Sequence, residues 1–129
     1  MKKNKVRIFV LLYSVDKKLK DYGIKPIIED LNMKYKNYRK KVTETSDIVQ
    51  ICKDIDSVCQ HHPLKSKALC LHKSLVGYML IKKLGYDIAI HIGIARETFE
   101  AHAWLEYNGK VINDNEEYIR SKYLTTFKS

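Results

Sequence analysis

The sequence predicts an α+β fold in which N-terminal helices pack on a small antiparallel sheet, and three features of the chain predict it. Apolar residues recur at helical spacing through residue 84, isoleucines alternate with other residues from Ile88, and Asn108-Gly109 separates two strand-like runs as a hairpin turn does. With 129 residues and 45% hydrophobic content, the chain reads as one domain that can bury roughly two-thirds of its unfolded surface. A basic helical part over residues 1–62 precedes a helix and sheet over residues 63–129.

The first element has to be told apart from a targeting segment. Lys2, Lys3 and Lys5 stand ahead of the apolar run Ile8-Phe9-Val10-Leu11-Leu12-Tyr13, as in a secretory signal. No small-residue cleavage site follows, and Asp16-Lys17-Lys18 closes the run too early for a membrane span, so a buried first helix is expected. Pro26 suits the first position of a second helix, followed by Ile27, Ile28, Leu31, Tyr35 and Tyr38 at helical spacing. A third helix begins near Ser46 or Asp47 and carries Ile48, Ile51, Cys52, Ile55, Val58 and Cys59 on one side. It ends before His61-His62-Pro63, because proline disfavours helical geometry at the residue preceding it.

Residues 63–69 then read as a loop into a fourth helix that opens at Cys70. Its apolar positions are 71, 75, 76, 79, 80 and 84, and Gly85 is a natural stop. Ile88, Ile90, Ile92 and Ile94 alternate with Ala89, His91, Gly93 and Ala95 as a strand, residues 99–107 alternate likewise, and the hairpin returns through residues 110–113.

Charge is uneven. Residues 1–42 hold 13 Lys and Arg against 4 Asp and Glu, whereas residues 43–129 hold 11 of each, so the net +9 lies in the N-terminal third. Such a lobe either attracts anionic partners, whether nucleic acid, an acidic peptide or an acidic protein surface, or is simply a solvated lysine-rich surface. Three cysteines without regular spacing argue against a disulfide framework and for a reducing, cytoplasmic setting.

Chemistry concentrates on Cys70, His102 and Asp114. A thiol at a helix N-terminus meets unsatisfied backbone N–H groups and the positive end of the macrodipole, which can lower its pKa from about 8.5 to roughly 3.5–7.5. An imidazole on a strand and a carboxylate at the end of the next supply the base and its orienter. The amide of Cys70 can donate to a developing oxyanion, and Gln60 is the candidate for a second donor. The hairpin tests this grouping. A two-residue turn at Asn108-Gly109 pairs Tyr107 with Lys110 and sends Asp114 to the wrong face. A three-residue loop with a bulge at Gly109 pairs Glu106 with Lys110 and sets His102 opposite Asp114. The second register is expected, with a Glu106 to Lys110 charge pair.

Other candidates read as structural. Cys52 and Cys59 fall on an apolar stripe and are expected in the core. His61 and His62 fit no zinc-binding spacing. His91 competes with His102 but has no following strand to offer it a carboxylate, and His72 points away from Cys70. Trp104 shares a face with His102, where it can shield the imidazole, line a substrate cleft or simply pack.

The segments Cys70-Leu71-His72-Lys73-Ser74-Leu75, Ile90-His91-Ile92-Gly93-Ile94, Ala101-His102-Ala103-Trp104-Leu105-Glu106 and Asn108-Gly109-Lys110-Val111-Ile112-Asn113-Asp114 resemble the transglutaminase-like cysteine protease domain of lasso peptide biosynthesis. Lys73 stands where that family usually has arginine. The resemblance implies a papain-like fold with Cys70 as nucleophile, His102 as general base and acid, and Asp114 orienting His102. It implies no metal or organic cofactor.

The implied activity is removal of the leader from a ribosomally made precursor peptide by a stand-alone peptidase half. The implied partners are that precursor, a separate precursor-recognition protein and an ATP-dependent cyclase; neither a membrane nor nucleic acid is expected. Two other classes share the features. Transglutaminase-like or acetyltransferase-like acyl transfer uses the same triad, and a catalytically silent peptide- or nucleic-acid-binding module would use the basic lobe alone.

Overall fold

The computed structural model describes residues 2–36, 45–61, 70–95, 97 and 100–129. Tyr38, Arg39, Lys40, Lys41, His62, the expected loop over residues 63–69 and Phe99 lie outside the described residues.

Helix α1, Lys2–Tyr22, turns Ile8, Leu12 and Val15 inward and leaves Val6, Phe9, Val10 and Tyr13 exposed on its other side. The buried set falls at four- and three-residue steps, one face of a 3.6-residue period. Gly23 ends the helix with φ 77°, its N–H donating to the Leu19 carbonyl at 3.0 Å, and the chain turns at once into α2, Ile24–Tyr35. Pro26 is therefore the third residue of α2 and not the first. It is tolerated there because the N–H groups of a first helical turn have no partner within the helix. Ile27, Ile28, Leu31 and Tyr35 are buried.

Helix α3, Thr45–His61, buries Ile48, Cys52, Ile55, Val58 and Cys59, with Ile51 packed beside them. It runs one residue further than the sequence suggested. No helix among the described residues is long and apolar enough to cross a membrane.

Helix α4, Cys70–Lys83, is the central element, packed against α1, α3 and the sheet. Leu75, Val76, Tyr78 and Ile81 are at most 1% exposed, each aliphatic member contributing about 1.5–3 kcal/mol through burial. Of the expected stripe, Leu71, Met79 and Leu80 are only partly buried and Leu84 is exposed. A helix enclosed on several sides has no single apolar stripe to read, and His72 and Ser74 are buried with the rest. Gly85, φ 94°, closes α4 as expected: its N–H reaches Lys82 O at 2.9 Å, and the Tyr86 N–H reaches Ile81 O at 3.4 Å.

Strands β1, Ala89–Ala95, β2, Ala101–Tyr107, β3, Lys110–Val111, and β4, Tyr123–Lys128, form an antiparallel sheet in the order β3-β2-β1-β4. Helix α5, Glu116–Lys122, links β3 to β4. Ile90 and Leu105, cross-strand partners, face the main core, while Ala95, Trp104, Ile119 and Tyr123 form a second cluster beneath α5. Both faces of the sheet are thus covered in part, which is why His91 and Gly93 are buried while Ile94 is exposed.

The hairpin register differs from the expected one. Tyr107 pairs with Lys110 and Glu106 with Val111 across a two-residue turn, with Asn108 at φ 52° and Gly109 at φ 77°. Positive φ at both central residues is the type I′ signature, whose twist matches the flanking strands without a bulge. The expected Glu106 to Lys110 pair is absent, and Glu106 bonds Arg120 instead.

Candidate active site

Cys70 is the first residue of α4 and is half-buried. Burial alone would raise its pKa, but a hydrogen bond to His102, backbone bonds from Ala103 and Leu71, and the charge of His102 outweigh it and bring the thiol below its usual value. The other two cysteines titrate the opposite way. Burial pushes Cys52 up to about 11, with Asp56 adding to the effect and Lys73 opposing it. Burial likewise raises Cys59, against the pull of Lys73.

His102, near the start of β2, hydrogen-bonds Cys70, and its Nε2 lies 2.8 Å from Asp114 Oδ2. The bond to Cys70 raises the imidazole most; burial works against it, and the bond to Asp114 and the two negative charges raise it further. The thiol is lowered and the imidazole raised, the directions in which proton transfer between them becomes easier. Two aromatic rings hold the imidazole plane: Tyr123 stacks at 5.1 Å with 19° between planes, and Trp104 at 6.3 Å with 23°.

Asp114 reaches His102 despite the two-residue turn because the chain leaves the ladder after Val111. Ile112 still donates to Leu105 O at 3.0 Å, but the return bond from Leu105 N–H goes to the Asn113 side-chain Oδ1 at 2.8 Å. Asp114 Oδ1 accepts the Asn115 N–H at 2.8 Å, and Asn115 caps α5 by accepting from the Tyr118 N–H at 2.9 Å. Asp114 thus sits in a turn between β3 and α5 and not at a strand end.

The remaining candidates fall elsewhere. Trp104 is 1% exposed and donates Nε1–H to Glu106 Oε2 at 2.8 Å. Its ring backs His102 and has no open face to offer a cleft. His91 does have a carboxylate nearby, contrary to expectation, since Glu106 Oε1 lies 3.5 Å from its Nε2; burial nevertheless lowers its pKa and it stacks on Trp104 at 5.8 Å. His72 is buried against Asp16 at 2.9 Å, away from the thiol. Lys73 pairs with Asp56 at 2.7 Å. Gln60 is exposed in the last turn of α3. Tyr123, Asn113 and the Glu106 cluster were not anticipated.

Among the described residues, no group of three or more His, Cys, Asp or Glu side chains is arranged to hold a metal ion. A thiol lowered by an oriented imidazole can attack an acyl carbon, and the same imidazole can carry the proton to a leaving group.

The profile described as the transglutaminase-like superfamily matches residues 11–127. Neither curated proteins nor solved structures give a match. Because the profile match spans nearly the whole chain and takes in both the helix of Cys70 and the sheet of His102, the protein belongs to the transglutaminase-like superfamily.

Proposed function

We propose that this protein is a cysteine peptidase that removes the leader from a ribosomally synthesised lasso precursor peptide. The observation that carries the reading is the hydrogen-bonded chain from Cys70 through His102 to Asp114, with the thiol lowered and the imidazole raised. In this reaction the Cys70 thiolate adds to the scissile carbonyl, and His102 gives its proton to the departing amine of the core peptide. The thioester left on Cys70 is then hydrolysed by a water that His102 deprotonates, which frees the leader as a carboxylate and restores the thiol. Asp114 stabilises the imidazolium and fixes the ring.

The lasso assignment rests on the resemblance of the segments around Cys70, His102 and Asp114; family membership alone supports only peptidase or acyl-transfer chemistry. The proposed partners are the precursor, a separate recognition protein that presents the leader, and an ATP-dependent cyclase that takes the freed amine. Two features support docking on the N-terminal part: the charge excess of residues 1–42, and the outward Val6, Phe9, Val10 and Tyr13 of α1 beside exposed Lys5 and Arg7. Cysteines that form no disulfide fit a reducing cytoplasmic setting.

Mass spectrometry of a synthetic precursor incubated with the protein and the recognition protein tests the proposal. Leader and core masses that together equal the precursor plus one water support hydrolysis. A leader joined to an added amine points to acyl transfer, and an intact precursor counts against both.

A further inference from the structure

We infer that Asn113 is a positioning residue that holds Cys70, His102 and Asp114 together by replacing one rung of the β2–β3 ladder with its side chain. The inference rests on the triad reading above and names the device that assembles it.

The geometry is specific. Asn113 Oδ1 takes the Leu105 N–H at 2.8 Å, and its Nδ2 donates to Ser74 Oγ at 3.2 Å. Ser74 is fully buried one helical turn after Cys70, Leu105 lies on the strand of His102, and Asp114 is the next residue in the chain. One amide therefore joins all three elements that carry the triad.

The alternative structure is equally definite. From the observed pairs Tyr107 with Lys110 and Glu106 with Val111, an unbroken ladder would continue through Leu105 with Ile112 to Ala103 with Asp114. Leu105 N–H would then bond Ile112 O, and Asp114 would lie on the face of Ala103, away from His102. Ala103 presents its N–H to the same strand edge as Leu105, two residues on, so an unbroken ladder would also occupy the N–H that now bonds the Cys70 sulfur. By taking the Leu105 N–H, Asn113 stops the ladder one rung early. That single substitution of acceptor leaves the Ala103 N–H for the thiolate and turns Asp114 toward the imidazole.

Asn113→Ala tests this with two readouts that need no peptide substrate: the pH midpoint of Cys70 alkylation and the His102 titration followed by NMR. The expected result is a thiol midpoint raised by about one pH unit, or about tenfold less thiolate on the acid limb, with a lowered His102 midpoint. Adding Asn113→Ala to Asp114→Asn should lower the His102 midpoint by less than the sum of the two single effects, because both act on the same imidazole through Asp114. A core variant such as Ile48→Val should lose stability with both midpoints unmoved. Unchanged midpoints in folded Asn113→Ala, or fully additive lowering of His102 in the double variant, would overturn the assignment. If Asn113→Ala does not fold, Ser74→Ala carries the test: a smaller shift in the same directions supports the inference, and wild-type midpoints overturn it. Because cleavage is not measured, absence of peptidase activity in the wild type leaves this result standing.

Discussion

The indole of Trp104 lies over Gly93: a Cβ built on that glycine would come within 2.6 Å of Trp104 Cη2 and 2.8 Å of the Leu124 carbonyl oxygen. Gly93 is also the cross-strand partner of His102, so the space left by its missing side chain lets the indole lie beside the imidazole. The Leu124 contact is with backbone and cannot be relieved by a rotamer change. Gly93→Ala is therefore expected to cost about 1–3 kcal/mol by overpacking and to alter the fluorescence of Trp104, the single tryptophan. Urea unfolding monitored at that residue checks both; a wild-type midpoint and spectrum would place Trp104 elsewhere.

Glu106 and His91 give stability a defined pH dependence. Burial raises Glu106, but the Trp104 and Arg120 hydrogen bonds and the neighbouring charges bring it below the ordinary carboxylate range. Its contribution is thus complete above the unfolded value of about 4.3 and is lost as pH falls through the folded one. Burial lowers His91, so protons favour the unfolded chain once pH drops below about 6.5. Two stages of acid destabilisation are expected between neutrality and pH 3. Glu106→Gln should cost about 1–3 kcal/mol at pH 7, because Trp104 Nε1 and Arg120 lose a charged acceptor, and should flatten the lower stage. Denaturation midpoints across that range decide it, and parallel curves for the two proteins would contradict the assignment.

The basic N-terminal part makes a separable contribution. Reversing exposed Lys5, Arg7, Lys34 and Lys36 to glutamate is expected to weaken precursor cleavage at low salt, with the difference from wild type shrinking as salt rises. Cys70 alkylation should change little, since its titration is set chiefly by burial, His102 and the Ala103 and Leu71 backbone. Equal cleavage at low salt would remove this part from recognition.

Much of the fold was legible because its signals are long. Helices α1 to α3 and strands β1 and β2 each show several repeats of their period, and Asn108-Gly109 marks where the chain turns, though not the register that turn sets. Helix α5 has only seven residues, too few for a period to declare itself, although Asn115 ahead of Glu116-Glu117 is a capping signal. Strand β4 is an edge strand whose mostly exposed residues carry little alternation. The grouping of Cys70, His102 and Asp114 was readable from residue type and element, but the route to it was not. A period-two argument assumes that backbone groups fill every rung, and here the Asn113 amide fills one. That exchange is a local choice of acceptor and leaves no trace in a hydrophobic pattern.

Alkylation of Cys70 as a function of pH tests the central claim most directly, with Cys52 and Cys59 as internal references and each site resolved by peptide mass spectrometry. Burial raises both reference thiols, so they should label slowly at neutral pH. Cys70 should label fast at neutral pH, with a midpoint below the ordinary thiol value of about 8.5 that moves upward in Asp114→Asn. A Cys70 midpoint at or above 8.5, indifferent to loss of the Asp114 charge, would show that no thiolate–imidazolium pair exists.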